Sequence, residues 1–202
     1  MKHRIFIFLF LNLIPYVAFS QKYAVNSNFG IEYATIYLAS GDSIKGQLDY
    51  PLTMETYKIK SKGENKQTYK IEDINKIIYK TTSNGLIEYD VLPYYKDGSS
   101  GKIANKKMLV LLSMKGKRTN LYIGSSTFLE STYYCCKREN EPAMTIVNVE
   151  QYGRGIGIGY GRYFKNAPEY FADNQAIVNK IKSGKYISKN IMEIVMEYNA
   201  AP

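Results

Sequence analysis

The chain has 202 residues, 27 of them basic and 18 acidic, which suits one domain carrying a formal net charge of +9. The basic residues are spread in pairs such as Lys106-Lys107 and Lys137-Arg138, a pattern typical of a solvated surface, so we expect no nucleic-acid partner. The single histidine, His3, lies in an opening segment that we predict to be removed, which excludes Ser-His-Asp catalysis and imidazole metal sites, and we expect neither cofactor nor metal.

The first twenty residues have the order of a secretory signal. Two basic residues precede an apolar run over 5–14, and the tripeptide Ala18-Phe19-Ser20 supplies the small residues that a signal peptidase reads. The run is too short to span a bilayer, so we expect no transmembrane helix in the mature chain. We predict a signal peptide at 1–20, a leader at 21–30, and an exported protein that is periplasmic, outer-membrane-associated or extracellular.

Residues 31–165 are predicted to form an antiparallel, β-rich body. Short runs of alternating apolar and polar residues recur between turn residues such as Ser40-Gly41-Asp42. The predicted strands are 32–39, 43–50, 56–61, 67–71, 76–80, 85–92, 107–113, 118–124, 128–137 and 143–149. The run at 107–113 is apolar at both odd- and even-numbered positions, which predicts a central strand covered on both faces.

The longest predicted loop spans 93–107 and begins with Tyr94 and Tyr95. Functional residues concentrate on loops. Because of the loop's length and the exposure that we expect for these tyrosines, we predict Tyr94 and Tyr95 as binding residues, with a glycine-rich segment as the second place to look.

That segment, 153–164, has glycine at every second position from Gly153 to Gly161. A dinucleotide-binding fingerprint needs a different spacing and a helix directly after it, so the fit is poor. The segment is either an extended strand with one bare face or a flexible loop, and phosphate binding comes third.

The two cysteines, Cys135 and Cys136, are adjacent. Their Cα atoms are about 3.8 Å apart, so a disulfide between them would be strained. On a strand their side chains point to opposite faces. We expect one thiol in the core and the other exposed or weakly reactive, with a vicinal redox switch as the alternative.

Residues 166–202 are predicted to form two helices packed on the sheet. The first starts over 168–171, with Asp173 capping its next turn and Gly184 as its stop. Ser188 is predicted to cap the second helix, whose apolar residues recur at helical spacing. The predicted fold class is therefore α+β: a curled sheet or partial barrel followed by two C-terminal helices.

Three stretches resemble small exported proteins of Bacteroidetes-type bacteria. They are residues 36–50 (IYLASGDSIKGQLDY), residues 69–74 (YKIEDI) and residues 169–199 at the C-terminal end. That family has no assigned activity and its shared motifs are structural. The resemblance implies a location and a bacterial source, and it supplies no functional residues.

The favoured function is a non-catalytic envelope or surface module that binds a partner protein or a glycan. Of the 20 tyrosines, Tyr16 lies in the predicted signal peptide and most of the rest lie in the β-runs. Tyrosine supplies amphipathic contact area at interfaces. One alternative is a carboxylate-based glycan hydrolase, which needs two acids at the scissile bond. Its candidate acids are Glu88, Asp90, Glu130, Glu139 and Glu141. A small outer-membrane β-barrel is a further alternative, because the alternating runs are numerous enough for eight strands.

Overall fold

The computed structural model describes residues 33–49, 56–61, 65–80, 85–96, 101–126, 131–152, 155–158 and 160–201. All of them belong to one compact unit, Ile31–Pro202. The predicted signal peptide at 1–20, the leader at 21–30 and Glu130 lie outside the described residues. Within the described part of the chain, no helix is both long and apolar enough to span a membrane.

The fold is α+β, as predicted, with one antiparallel sheet followed by helices. The strands of the described residues are β1 (Tyr33–Leu38), β2 (Ser43–Asp49), β3 (Thr56–Lys60), β4 (Gln67–Lys70), β5 (Ile74–Lys80), β6 (Leu86–Leu92), β7 (Met108–Met114), β8 (Asn120–Ser126), β9 (Ser131–Lys137), β10 (Met144–Tyr152) and β11 (Gly155–Ile158). Their order in the sheet is β11-β10-β9-β8-β7-β6-β5-β1-β2-β3-β4, so β11 and β4 are edges and the sheet is not closed.

The sheet folds over itself at β2. Residues 43–47 of this strand pair with β1, whereas residues 47–49 pair with β3. Three strands separate β4 from β5 in the sheet, yet only the 3₁₀ turn Ile71–Asp73 joins them along the chain. A flat sheet would place those strands about 19 Å apart, and three residues of 3₁₀ helix cover only about 6 Å. The N-terminal strands must therefore curl, as predicted.

The curl encloses the first of three apolar clusters, which we name the curl core. Ile36 lies directly opposite Ile77, and Leu48 lies opposite Ile59. Its buried members are Ala34, Ile36, Leu48, Tyr57, Ile59, Ile71, Ile74, Ile77, Tyr79 and Val91. Alternate residues of β1 and β3 face this core while their neighbours face solvent, so β1–β4 bury one face only.

Three helices follow the sheet: α1 (Tyr160–Tyr170), α2 (Gln175–Lys182) and α3 (Ile191–Ala200). The helix α1 packs on β10 and α3 packs on β8. Their apolar faces and the sheet enclose a second cluster, the helix core. It includes Leu121, Cys136, Ile146, Tyr163, Ala167, Phe171, Ile177, Ile181, Ile194, Val195 and Tyr198. This arrangement confirms the predicted C-terminal helical pair, α2 and α3.

The helix α1 begins earlier than the sequence predicted. We placed the helical start at Pro168 and the boundary of the helical region at 166, whereas α1 begins at Tyr160. Pro168 lies in its last turn, where the missing N–H removes a single intrahelical hydrogen bond. The helix is held instead by burial of Tyr163, Ala167 and Tyr170 at helical spacing.

Two of the predicted caps are also corrected. The cap of α2 is Asn174, whose side chain accepts from the Ile177 N–H at 3.2 Å, and not Asp173. Ser188 opens a 3₁₀ turn before α3, and its buried hydroxyl has no hydrogen-bond partner among the described residues. The predicted stop at Gly184 is confirmed, because this glycine has a φ of +75° directly after α2.

A third cluster lies on the opposite face of the central strands. Its buried members are Leu92, Met108, Val110, Tyr122, Cys135 and Ala143. Strands β8 and β9 therefore bury both faces, with this cluster on one side and the helix core on the other. Strand β7 is central as predicted, but it is only partly covered: Met108 and Val110 are buried and its other residues are half-buried.

The cysteine prediction was half right. Cys135 and Cys136 are free thiols on opposite faces of β9, but both are fully buried, one in the third cluster and one in the helix core. Of the two options for the second thiol, exposure was wrong because both faces of β9 are covered, and weak reactivity stays a prediction. Burial raises the pKa of Cys135 to about 12 and that of Cys136 well above its usual range.

The described part of the glycine-rich segment begins as an extended strand. Gly155–Ile158 form the edge strand β11, which pairs with β10. Tyr160 then starts α1. Of the two interpretations from sequence, the extended strand is the correct one for these four residues.

Candidate functional site

The two predicted binding tyrosines are held in the framework of the fold. The Tyr95 N–H donates to the Ala143 carbonyl at 3.1 Å, and the Ala143 N–H donates to the Pro93 carbonyl at 2.9 Å. These bonds pair the chain after β6 with the start of β10. Tyr94 packs against the third cluster and Tyr95 against the helix core.

Both tyrosines are half-buried rather than exposed. Tyr95 also forms a bridge to Ile103 across the loop, and the Ala104 N–H donates to the Tyr94 carbonyl at 2.9 Å. The loop is thereby folded back on itself at its base. Tyr94 therefore contacts the third cluster and Tyr95 the helix core, and both side chains remain partly exposed.

Two of the candidate acids do come together. Glu88 and Asp90 lie on one face of β6, and the Lys76 ammonium on β5 contacts both, hydrogen-bonding Glu88 and lying 3.6 Å from Asp90. The Tyr122 hydroxyl donates to Asp90 at 3.0 Å. Burial raises the pKa of Tyr122 above its usual range, and the neighbouring carboxylates contribute to that rise.

This arrangement suits an ion-pair network better than a glycosidase. A hydrolase needs the substrate bond between its two carboxyl groups, and the Lys76 ammonium bridges Glu88 and Asp90. Glu139 is exposed in the turn after β9. Glu141 lies 3.6 Å from the Arg138 guanidinium, away from the pair on β6. The described candidate acids therefore do not converge on one cleft.

A larger polar cluster, which sequence reasoning missed, joins the helices to the sheet. Arg118 donates to one oxygen of Asp173 at 2.8 Å and Arg138 donates to the other at 3.0 Å. The Tyr198 hydroxyl donates to Asp173 at 2.6 Å, and the Arg118 guanidinium lies 4.3 Å from the centre of the Tyr198 ring. Tyr170 completes the cluster, beneath the Arg138 guanidinium at 4.5 Å.

The same contact region includes Asn199 of α3. Its side-chain oxygen accepts from the backbone N–H groups of Arg118 and Thr119 at 2.9 and 3.0 Å, and its amide donates to the Thr119 carbonyl at 3.0 Å. A side chain that pairs with sheet backbone in this way fixes the position of α3. We interpret the whole cluster as the dock that holds the helices to β8 and β9.

The charge of Asp173 is stabilised in this dock. Burial by itself would raise the pKa of the carboxyl, but the Tyr198 hydroxyl and the guanidiniums of Arg138 and Arg118 outweigh that effect and hold the pKa below its usual range. Burial raises the pKa of Tyr170 far above its usual range, so its hydroxyl stays protonated. At neutral pH the ionised Asp173 is thus paired with both guanidinium groups of the dock.

The remaining candidate is an exposed surface on the outward side of the curl. We name it the tyrosine–lysine face. It comprises Tyr33 and Tyr37 of β1, Lys45 and Gln47 of β2, Lys60 of β3 and Lys80 of β5. Tyr33 is 60% exposed and Tyr37 is 40% exposed, although both rings are large and partly apolar. Exposed apolar groups that share one face mark interaction surfaces.

The strand register places these residues beside one another. Tyr33 is directly opposite Gln47, which is directly opposite Lys60, so a ring, an amide and an ammonium form one row across three strands. Lys45 lies opposite Thr35, and Tyr37 lies opposite Ser43. Neighbouring strands are about 4.8 Å apart, so one row spans about 10 Å.

A further titratable cluster joins α2 to α3, where the Glu197 carboxylate accepts from the Lys180 ammonium and from the Tyr186 hydroxyl. It is an ion pair between neighbouring helices, like the helix dock a contact that holds the helices in place.

Within the described ranges, no group of three or more His, Cys, Asp or Glu side chains is placed to hold a metal ion. The tyrosine–lysine face offers hydrogen-bonding, stacking and cationic groups, which suit it as a candidate binding surface. The sequence pattern could have indicated it, since Tyr33, Thr35 and Tyr37 alternate with Ala34 and Ile36.

Comparison of the chain with protein-family models, with curated proteins and with solved structures finds no match.

Proposed function

We propose that the chain is an exported, non-catalytic module of the bacterial cell envelope that binds a partner protein or a glycan through the tyrosine–lysine face. The observation that carries this proposal is the burial of only one side of β1 and β2. The inner residues of these strands complete the curl core, while their outer residues include two tyrosines that remain at least 40% exposed. A structural role does not require exposed aromatic rings at those positions.

Export is supported by the order of the first twenty residues: basic, then apolar, then small. If the signal is cleaved where we propose, chain secreted by a bacterial host begins at Gln21. N-terminal sequencing or intact mass of the exported protein measures this directly. Recovery of uncleaved chain from the cytoplasm would contradict export.

The binding face is tested by site-specific photo-crosslinking in the native envelope. A photoreactive phenylalanine analogue replaces Tyr37 in one variant and Met196, an exposed residue of α3, in the control. We expect a discrete adduct, protein or glycan, at position 37 and not at position 196. Equal labelling at both positions, or none at position 37, would contradict the proposal.

A further inference from the structure

We infer that the ligand of the tyrosine–lysine face is an acidic polysaccharide whose sugar rings carry carboxylates. This inference rests on the proposed function and adds the chemical class of the ligand. Three features of the outward side of the curl support this inference. The first is which of its charged side chains are paired, and the second is the pair of exposed rings between the unpaired ones. The third is the set of groups that this surface lacks among the described residues.

The free charges of the face are positive. Lys45, Lys60 and Lys80 are exposed, and no ion pair of any of them is found in the described part of the chain. The two acids on the adjoining strand β6, Glu88 and Asp90, are both engaged by Lys76. A ligand with spaced negative charges therefore meets three unpaired ammonium groups and no unpaired carboxylate from β6.

The rings lie between those charges. The strand β1, which carries Tyr33 and Tyr37, is flanked by β2 with Lys45 and by β5 with Lys80. The two tyrosines are four residues apart on one face of a strand, a spacing of about 13 Å. Flat rings at this spacing offer stacking surfaces for separate sugar units, with Gln47 between Tyr33 and Lys60 as a donor and acceptor for hydroxyls.

Other polyanions fit less well. Phosphate groups are recognised best by the bidentate guanidinium of arginine. The described arginines lie away from β1–β5: Arg118 and Arg138 belong to the helix dock and Arg162 lies in α1.

A membrane surface would need an apolar anchor beside the cations. Leu86, which is 70% exposed, lies opposite Lys80, but the neighbours of Lys45 and Lys60 are neutral hydrogen-bonding residues: Thr35, Ser43 and Gln47. Carboxylates on a sugar backbone match lysine, tyrosine and amide together.

The test is binding of the purified chain to three carboxylated polysaccharides: polygalacturonate, alginate and hyaluronate. Methyl-esterified polygalacturonate serves as the uncharged control, and polyglutamate serves as a polyanion without sugar rings. The face variant carries Lys45→Gln, Lys60→Gln and Lys80→Gln. A matched variant carries Lys165→Gln, Lys182→Gln and Lys189→Gln, three exposed lysines of the helical region, so both variants lose the same charge.

We expect at least one acidic polysaccharide to bind, and the face variant to bind it about tenfold more weakly while the matched variant stays within about twofold. Both variants should keep the wild-type circular dichroism. Tyr33→Leu with Tyr37→Leu should weaken polysaccharide binding and leave binding to polyglutamate unchanged, because only sugars use the rings.

Four results would overturn the inference: no binding to any of the three polysaccharides, equal loss in both lysine variants, equal affinity for polyglutamate, or tighter binding to phosphatidylglycerol vesicles or duplex DNA. The crosslinking result distinguishes failure of this inference from failure of the proposed function. If position 37 crosslinks a protein while all three polysaccharides fail to bind, the ligand class is wrong and the face is still a binding site. If crosslinking at position 37 also fails, both are wrong.

Discussion

The two ends of the sheet bury their residues in different ways. Strands β1–β4 bury one face, inside the curl core, and expose the other. Strands β8 and β9 bury both faces, between the helix core and the third cluster. A single row of opposed residues connects the two ends, running from Ile36 and Ile77 through Tyr89 and Leu111 to Val147.

The two ends of the sheet therefore have different roles. Where both faces are covered, polar side chains such as Arg138 and Asp173 are used to hold one layer to another. Where one face is free, polar and aromatic side chains such as Lys45 and Tyr37 have no layer to hold and remain available to a ligand. One sheet thus combines a two-sided scaffold with a one-sided binding surface.

The largest expected effect comes from opening the two-sided end. Phe171 is fully buried and its ring lies 5.0 Å from that of Tyr198. We expect Phe171→Ala to lower the free energy of unfolding by about 3–5 kcal/mol, because it removes a large side chain and leaves a cavity. Urea unfolding followed by circular dichroism measures the loss. A change below about 1 kcal/mol would mean that the helices contribute little to holding the fold.

The next effect concerns the fold-over of the one-sided end. A Cβ on Gly46 would lie 2.4 Å from the Lys60 carbonyl oxygen, so β2 and β3 would have to separate. We expect Gly46→Ala to cost about 1–3 kcal/mol in thermal or urea unfolding. Gly101→Ala is the control, because a methyl group at that position would have no other atom within 4 Å. Equal stability of the two variants would contradict the close packing at the fold-over.

A smaller effect is expected at the helix dock, and it depends on pH. Because the folded pKa of Asp173 is lowered, its contribution to stability is present above the ordinary carboxyl pKa and is lost as the pH falls through the folded value. We expect Asp173→Asn to cost about 1 kcal/mol at about pH 7, since the side chain is partly screened by solvent. The deficit should shrink as the pH approaches about 2.

Melting temperatures from about pH 7 down to about pH 2 measure that deficit. Glu139→Gln, in an exposed turn of the same region, should show no comparable deficit at any pH. If the stability deficit of Asp173→Asn were the same at every pH in this range, the ionised Asp173 carboxylate would not be what stabilises the dock.

The smallest effect tests the claim of two-sided burial. Because Cys135 and Cys136 are fully buried and burial raises the pKa of both, we expect neither thiol to react with a thiol-specific reagent in the native state. Both should react fully in denaturant, and the titration of released chromophore measures this. Rapid labelling of one thiol in native protein would show that one face of β9 is open.

Sequence alternation predicted most of the strands because it records which residues face a core. The pairs Tyr57 and Ile59 in β3, or Ala34 and Ile36 in β1, carry that signal within one strand. The helix α1 was mispredicted at its start because its buried stripe consists of Tyr163, Ala167 and Tyr170, which are weakly apolar residues next to a proline.

The outward tyrosines of the candidate site follow from the alternation in β1, but the lysines that lie beside them could not be predicted from the sequence. Lys45, Lys60 and Lys80 are far apart along the chain, and only the pairing of β2 with β1 and β3 and of β1 with β5 brings their strands together. Conversely, Tyr94 and Tyr95 follow a strand in a polar segment, as exposed loop residues do. Their burial depends on Ala143, which lies much later in the chain.

Amine-acetylation footprinting of the chain in its native envelope, compared with the purified chain, tests the central claim most directly. If the free face of the one-sided end is the binding surface, Lys45, Lys60 and Lys80 are acetylated more slowly in the envelope. Lys165, Lys182 and Lys189 of the helical region then react at the same rate in both samples. Protection of the helical lysines, with the face lysines unchanged, would contradict the account.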